Sequence, residues 1–358
     1  MIGRVKRLLP LVLLVCLGVG CGSSTACPRG VEIVLRAVPL HGQAVTPAGM
    51  QVARTIISDR VQTLGVTSPQ VTVRGSDEIV IAYGGTSAPK DLARVVAATG
   101  QLQFFDFEKA LAPPTVKNGN PTPYPTLYSL LDLVDSARSG LSIPAAFYLF
   151  GSGPLHRVLQ GPAGTEEALL TPYRGKQPAG TTILTVPANE EVVSGPIDTP
   201  ATKPVKQSRD GVYWYLFNLP AAISGRDLKE STISWDKDPN SGQPEVLLGF
   251  TRRGTEAFRA LTQAEYERGL FTAGLQGSTG SPANALYEQH SAIVLDNKLQ
   301  ATPSIDYTDQ SLSLGITGGM RITNIGSTRA AKDLALVLRS GSLPYRFEQV
   351  SSTPGCAR

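Results

Sequence analysis

The sequence predicts an α+β protein in two parts, a small helix-on-sheet base and a larger, mostly β head inserted into it. Three observations carry this expectation. The first hundred or so residues after the N-terminal segment alternate strand and helix patterns in a compact order. The texture then breaks at a proline-rich stretch. Finally, a Leu/Val-rich helical run followed by a strand-like run, DLALVLRSGSLPYRFEQV (333–350), stands almost at the end of the chain. A strand leaves backbone donors and acceptors that need partners, so this one must pair with something made long before.

The elements follow in order. VEIVLRAV (31–38) reads as a strand, and Thr46-Pro47 opens a helix with a capping hydroxyl and a proline in the first turn. Met50, Ala53, Ile57, Val61 and Leu64 form its apolar stripe, which Gly65 ends. Val71 and Val73 alternate with polar neighbours, Gly75-Ser76-Asp77 turns, and Ile79 and Ile81 alternate on the return, which is a hairpin. A second helix is expected from about Ala88 to Ala98 behind Ser87, ending at Gly100, and QLQFFDFE (101–108) is expected as the next strand. The order β-α-β-β-α-β is that of a ferredoxin-like sandwich, with two helices on one face of an antiparallel sheet.

APPTVKNGNPTPYPT (112–126) holds no regular pattern. A helical patch follows at 127–138. Short strands, turns and the polar loops SGPIDTPATKPVKQ and TAGLQGSTGSPAN then fill the chain to about 330. The expected division is 1–20 signal peptide, 21–30 linker, 31–109 with 343–356 as the ferredoxin-like base, and 110–342 as the inserted head.

At 358 residues, 41% apolar and 17% charged, the chain is long enough for two cores and has the composition of an ordinary globular protein. Its formal charge of +4 includes Arg4, Lys6 and Arg7, which belong to the leader, so the remainder is close to neutral. There is no basic stripe interleaved with aromatics, and nucleic acid is excluded as a partner. The leader itself has a basic start, MIGRVKR, and thirteen uncharged, mostly apolar residues, LLPLVLLVCLGVG, too few to span a bilayer. Cys21 follows in GVGCGSS, a setting that resembles the lipobox of bacterial lipoproteins, where the cysteine is acylated. The leucine usual three places before that cysteine is Gly18 here, with Leu17 one place further back, so plain secretion is the alternative. Cys16 leaves with the leader. Cys27 and Cys356 remain, an even pair that reads as a disulfide in an exported protein, with two free thiols as the alternative.

Catalytic arrangements are sparse. His41, His156 and His290 have no metal-ligand spacing, and neither a nucleophile elbow nor a phosphate loop occurs. No catalytic residue, metal or cofactor is expected. In DKDPNSG, Asp236, Asp238 and Asn240 could offer alternate oxygens to calcium, but Ser241 and Leu247 stand where a calcium loop needs Gly and Glu, and the composition is that of a turn. In YWYLF (213–217), Tyr213, Tyr215 and Phe217 share one face and Trp214 lies on the other. Core packing is the plainer reading. An exposed Tyr213/Tyr215/Phe217 face would instead be the candidate surface for an extended polypeptide.

Four ordered stretches carry a family resemblance. SDRVQTLGVTSPQVTVRGSDEIVIAYGG (58–85), ISGRDLKESTISWDKDPNSGQPEVLLGFTRRGTEAFRALT (223–262), AIVLDNKLQATPSID (292–306) and GGMRITNIGSTRAAKDLALVLRSGSLPYRFEQV (318–350) resemble the first periplasmic domain of SecD, a subunit that assists protein export. Residues 110–220 do not align. The resemblance implies a ferredoxin-like base with an inserted head that holds translocating polypeptide, the Sec translocon as a possible partner, and no enzyme activity. In that family the closing segment leads into membrane helices that couple proton flow to movement. Here the chain stops at Arg358, so the expectation is a lipid-anchored protein on the outer face of the cytoplasmic membrane that is not itself the motor. The alternative is an envelope lipoprotein that kept the fold without a role in secretion.

Overall fold

A computed structural model describes residues 29–39, 44–84, 91–138, 143–196, 208, 211–275, 287–323 and 325–356. The base comprises strand β1 (Arg29–Val38), helix α1 (Pro47–Thr63), strands β2 (Gln70–Arg74) and β3 (Glu78–Gly84), and helix α2 (Leu92–Ala97). Thr46 caps α1 by accepting from the Gly49 N–H at 3.1 Å, with Pro47 in the first turn, as the sequence predicts. The expected stripe is buried at Met50, Ala53, Ile57 and Val61, where it packs on Ile33, Leu35, Ile79 and Ile81. Residues 85–90 are not described, and the described part of the second helix begins at Leu92.

Through the head the elements run β4 (Leu102–Asp106), α3 (Phe107–Ala110), the short pair β5 (Val116–Lys117) and β6 (Asn120–Pro121), α4 (Leu127–Arg138), β7 (Pro144–Phe150), β8 (Val158–Ala163), α5 (Glu166–Leu170), β9 (Thr182–Pro187), β10 (Glu190–Gly195), β11 (Tyr213–Asn218) and β12 (Ile223–Ser224). Then come β13 (Ser234–Lys237), β14 (Pro244–Leu248), α6 (Arg252–Leu275), β15 (Gln289–Leu295), β16 (Lys298–Ala301), β17 (Ser304–Ile305), β18 (Met320–Ile322) and α7 (Thr328–Arg339). The chain closes with β19 (Arg346–Cys356).

The terminal strand finds its partner in the base. β19 lies antiparallel to β1, from Val38 opposite Arg346 to Arg29 opposite Cys356, and the base sheet has the order β19-β1-β3-β2. That is the ferredoxin-like arrangement with its fourth strand supplied from the far end of the chain. The expected fourth strand is displaced. β4 joins the head instead, between β15 and β12. Leu102 and Phe104 on one face and Phe105 on the other explain why: β4 buries apolar side chains on both faces, so it needs cover on two sides. β19 turns Phe347 inward while Glu348 and Gln349 face out, as a one-sided strand beside two helices requires. The base therefore gives way to the head after α2 rather than at residue 109.

The head is centred on a seven-stranded sheet, β11-β10-β16-β15-β4-β12 with β17 against β15, in which β10 and β16 run parallel. On one face α6 and α7 pack Phe258, Leu261, Ala331 and Leu338 over Phe104 and Ile293. On the other, Phe105, Phe107, Val193, Tyr215 and Phe217 form a second core. A small sheet, β8-β7-β9, and α4 build a third through Leu130, Phe150, Leu184 and Leu216. Thr272–Leu275, the start of the stretch expected as a polar loop, continue α6, and the rest of that stretch lies outside the described residues. Among the described residues, no helix is long and apolar enough to cross a membrane.

Candidate functional site

Two crossings join base to head, Ala98–Gln101 leaving α2 and Ser340–Pro344 returning from α7. One buried arginine binds both. Arg60 lies on the inner face of α1 and is 0% exposed. Its Nη1 donates to the carbonyls of Val96 (3.0 Å) and Ala98 (2.5 Å), and its Nη2 to those of Val337 (3.3 Å) and Gly341 (2.8 Å). Its Nε donates to the Ser340 hydroxyl at 2.8 Å. Most of these are carbonyls at or just past the ends of α2 and α7, which have no partner within their own helices and carry the negative ends of the helix dipoles. Burial lowers the Arg60 pKa to about 10, which leaves it charged at neutral pH. The crossings are also tied to each other: the Leu343 N–H donates to Thr99 O and the Ser342 hydroxyl to Gly100 O, both at 2.8 Å. Gly100 sits at φ +71 with Val337 Cγ1 2.8 Å from where a Cβ would stand, so no other residue fits.

Beside this joint lies a cleft of about 230 Å³ with walls from both parts. Pro39 and Arg346 come from the base; Tyr148 on β7 and Trp214 on β11 supply aromatic surface from the head; Glu190, Glu191 and Asp296 form an acidic floor. Glu191, 1% exposed, accepts from Gln103 Nε2 at 2.9 Å and Asn297 Nδ2 at 2.8 Å. Asp296 accepts from the Gln101 N–H at 2.8 Å, and burial raises its pKa. Burial pushes the Tyr148 hydroxyl up to about 12, helped by Glu191 and opposed by Arg346. The cleft thus offers flat apolar surface beside three acidic side chains, a match for apolar or cationic side chains on an extended chain.

The wall carrying Tyr148 is the sheet β8-β7-β9, whose edge strand β8 leaves Val158 and Leu159 each 45% exposed. Edge strands present unpaired backbone groups that accept a further strand whatever its sequence.

The structure relocates the sequence candidates. Tyr213, Tyr215 and Phe217 are 8%, 2% and 0% exposed; Tyr215 and Phe217 meet Phe107 and each other edge to face, and Tyr213 belongs to the same buried cluster. This corrects them as a binding surface: the aromatic face covers the head's second core, and Trp214, from the opposite face, is the residue that reaches the cleft. Cys21 and Cys27 lie outside the described residues; Cys356 ends β19 opposite Arg29. Asp238 is occupied by its own turn, accepting from Asn240 N, Ser241 N and the Ser241 hydroxyl at 2.7–3.0 Å, and the Ser241 contacts hold its pKa down. His41 is not described, His156 stacks on Tyr128 with centroids 3.8 Å apart, and His290 pairs with Glu108 at 2.7 Å. Sequence reasoning missed Arg60, Tyr148 and Glu191. For Arg60 a signal existed, since it is a charge embedded in the stripe Ile57, Val61, Leu64.

Known proteins resemble this chain in the same two blocks. The family described as SecDF, P1 head subdomain, matches residues 202–345, and that described as protein translocase subunit SecDF, P1 domain, N-terminal, matches residues 50–109. The protein translocase subunit SecD of Synechocystis sp. is 26% identical over 300 residues, covering 84% of this chain and 47% of that protein. SecD of Thermobaculum terrenum is 36% identical over 77 residues, 22% of this chain and 15% of that protein. The chain thus spans less than half the length of these relatives. A crystal structure of SecDF in a super-membrane-facing form is 19% identical with a TM-score of 0.48, covering 92% of this chain and 30% of that one. Residues 110–201, which include α4 and the small sheet walling the cleft, fall outside both family matches.

Proposed function

This chain carries a P1 region of the SecD family, and from that premise we propose that it assists protein export by holding extended polypeptide in the cleft between base and head. The observation that carries the reading is the pair of family matches, 50–109 and 202–345, which fall in the family's order and each take in one of the two crossings. The cleft supplies the chemistry. Apolar side chains would rest on Tyr148 and Trp214, cationic ones would approach Glu190 and Glu191, and the backbone would extend along the open edge of β8. No bond is made or broken, so the role is that of a binding protein, with the Sec translocon as the neighbouring machinery. Acylation at Cys21 would hold it at the outer face of the cytoplasmic membrane.

The purified full chain should bind a reduced, unfolded test protein with micromolar affinity, and EDTA should leave that affinity unchanged. Trp214→Ala and Tyr148→Ala should each weaken binding by about tenfold, the loss of one aromatic anchor. Failure to bind across several unfolded clients would instead favour an envelope lipoprotein without a role in secretion.

A further inference from the structure

The long helix α6 crosses the head's sheet on a buried face that is not uniformly apolar. Glu265 is on it, and its relative exposure is 0%. Its side-chain hydrogen-bond partner is the Ser291 hydroxyl on β15, at 2.8 Å from Oε2 and 3.0 Å from Oε1. A serine hydroxyl has one proton, so a carboxylate can receive only one of these as a true hydrogen bond; a neutral carboxyl can also donate to the serine lone pairs.

The surrounding charges act in the same direction. Facing Glu265 from β4 and α3 are two more carboxylates, Asp106 and Glu108. Arg268, one turn along α6, is the cation at hand, but it is committed elsewhere. It grips Asp106 with Nη1 at 2.9 Å and Nη2 at 2.6 Å and donates from Nε to Gln289 Oε1 at 2.5 Å. His290 is committed to Glu108 through its ring Nδ1 at 2.7 Å and its backbone N–H at 3.0 Å. Along its flank α6 also packs, through Tyr266 and Ala273, on the segment holding Ile305 and Tyr307, next to Asp306.

We propose that Glu265 is a proton-binding latch: protonated, it seals the distal half of α6 onto β4 and β15, and ionised, it loosens that half from the sheet. Burial, reinforced by Asp106 and Glu108 against the Ser291 hydrogen bond and Arg268, moves its pKa up from 4.5 to about 8. For an acid with a raised pKa the folded state binds the extra proton. The stabilisation is complete below pH 4.5 and is lost as pH rises toward 8. Neutral pH lies within that window, so modest pH changes alter the latch. The segment it controls carries Leu270, Phe271 and Leu275, which are 45%, 67% and 70% exposed.

The test is amide hydrogen exchange on the full chain, followed across α6 from pH 5 to 9 with the intrinsic pH dependence of exchange divided out. In the wild type the opening of residues 262–273 should grow about tenfold per pH unit between pH 5 and 7.5 and level off above 8. In Glu265→Gln, which cannot ionise, it should be flat and remain at the low-pH level. Equal pH dependence in both proteins overturns the proposal. Should Glu265→Gln fail to fold, carboxyl ¹³C titration of the wild type decides alone: a Glu265 midpoint near 8 supports the latch and one below 6 overturns it.

Discussion

Removing the Arg60 guanidinium would take this donor from the buried carbonyl of Val96 and the part-buried ones of Ala98 and Gly341, and would leave Val337 O with the Ser340 hydroxyl alone. Arg60→Met fills similar volume but makes none of these bonds, and should cost about 3–4 kcal/mol in urea unfolding. Arg60→Lys keeps the charge but loses the planar fork that spans two helix ends, and should recover less than half of that. A loss within about 0.5 kcal/mol for Arg60→Met, the range of ordinary surface changes, would show that the joint does not depend on it. At this scale the sequence was legible in part. The alternation in YWYLF was correct, but alternation says which residues share a face and not which face meets solvent. In this molecule both faces are covered, one by Phe105 and Phe107 and the other by α4 with the small sheet. Tyr213, Tyr215 and Phe217 are therefore core, the plainer of the two readings, and the functional candidate is Trp214, on the opposite face.

Elements with a largely apolar face were readable, α1 and the β2–β3 hairpin among them, and so was the return of the last strand to the base. α6 was not. Its buried face mixes Phe258, Leu261 and Tyr266 with Thr262, Glu265 and Gly269, which mutes the helical period in a sequence already interrupted by glycines. The same polar insertions are what give α6 its latch. β4 was recognised as a strand but assigned to the wrong sheet, since pairing partners about 120 and about 190 residues away leave no local mark. The terminal strands carry a further prediction. Cys356 faces Arg29, two residues after Cys27. Diagonal neighbours on paired strands are about 7–8 Å apart, and a disulfide needs about 4.4–6.8 Å, so a Cys27–Cys356 bridge requires the chain before Arg29 to bend toward β19. Non-reducing mass spectrometry of the oxidised protein should find the bridge, and reduction should lower the melting temperature. In the chain-entropy description so long a loop contributes at most about 5–6 kcal/mol. Two free thiols would refute it.

At the scale of the whole molecule, the base is completed by the two ends of the chain and the head is looped out between them through a joint that Arg60, Leu343 and Ser342 cross-tie. That arrangement sets the cleft against the joint, with Arg346 of the base and Trp214 of the head both on its walls, so a polypeptide bound there would touch both parts at once. The two-part plan was visible in the sequence, because a terminal strand without a neighbour points back to the base; the proline-rich stretch lies inside the head and does not mark the break, which follows α2. The cleft was not, since it is assembled from residues 39, 148, 190, 214 and 346, none of which is unusual in its local setting. Anchoring belongs to the same scale: metabolic labelling should place a lipid on the wild type, and Cys21→Ser should release the protein from the membrane fraction. Unlabelled wild type would make it a secreted protein.

The central claim is that exported chains pass through the cleft. A photoreactive phenylalanine analogue at Tyr148 tests it directly, with Val52, 53% exposed on the outside of α1, as the control position. Illumination of cells during active export should crosslink position 148 to secreted precursors, and the yield should fall when export is blocked. Equal crosslinking from 148 and 52, or none from 148 while export proceeds, would contradict the claim.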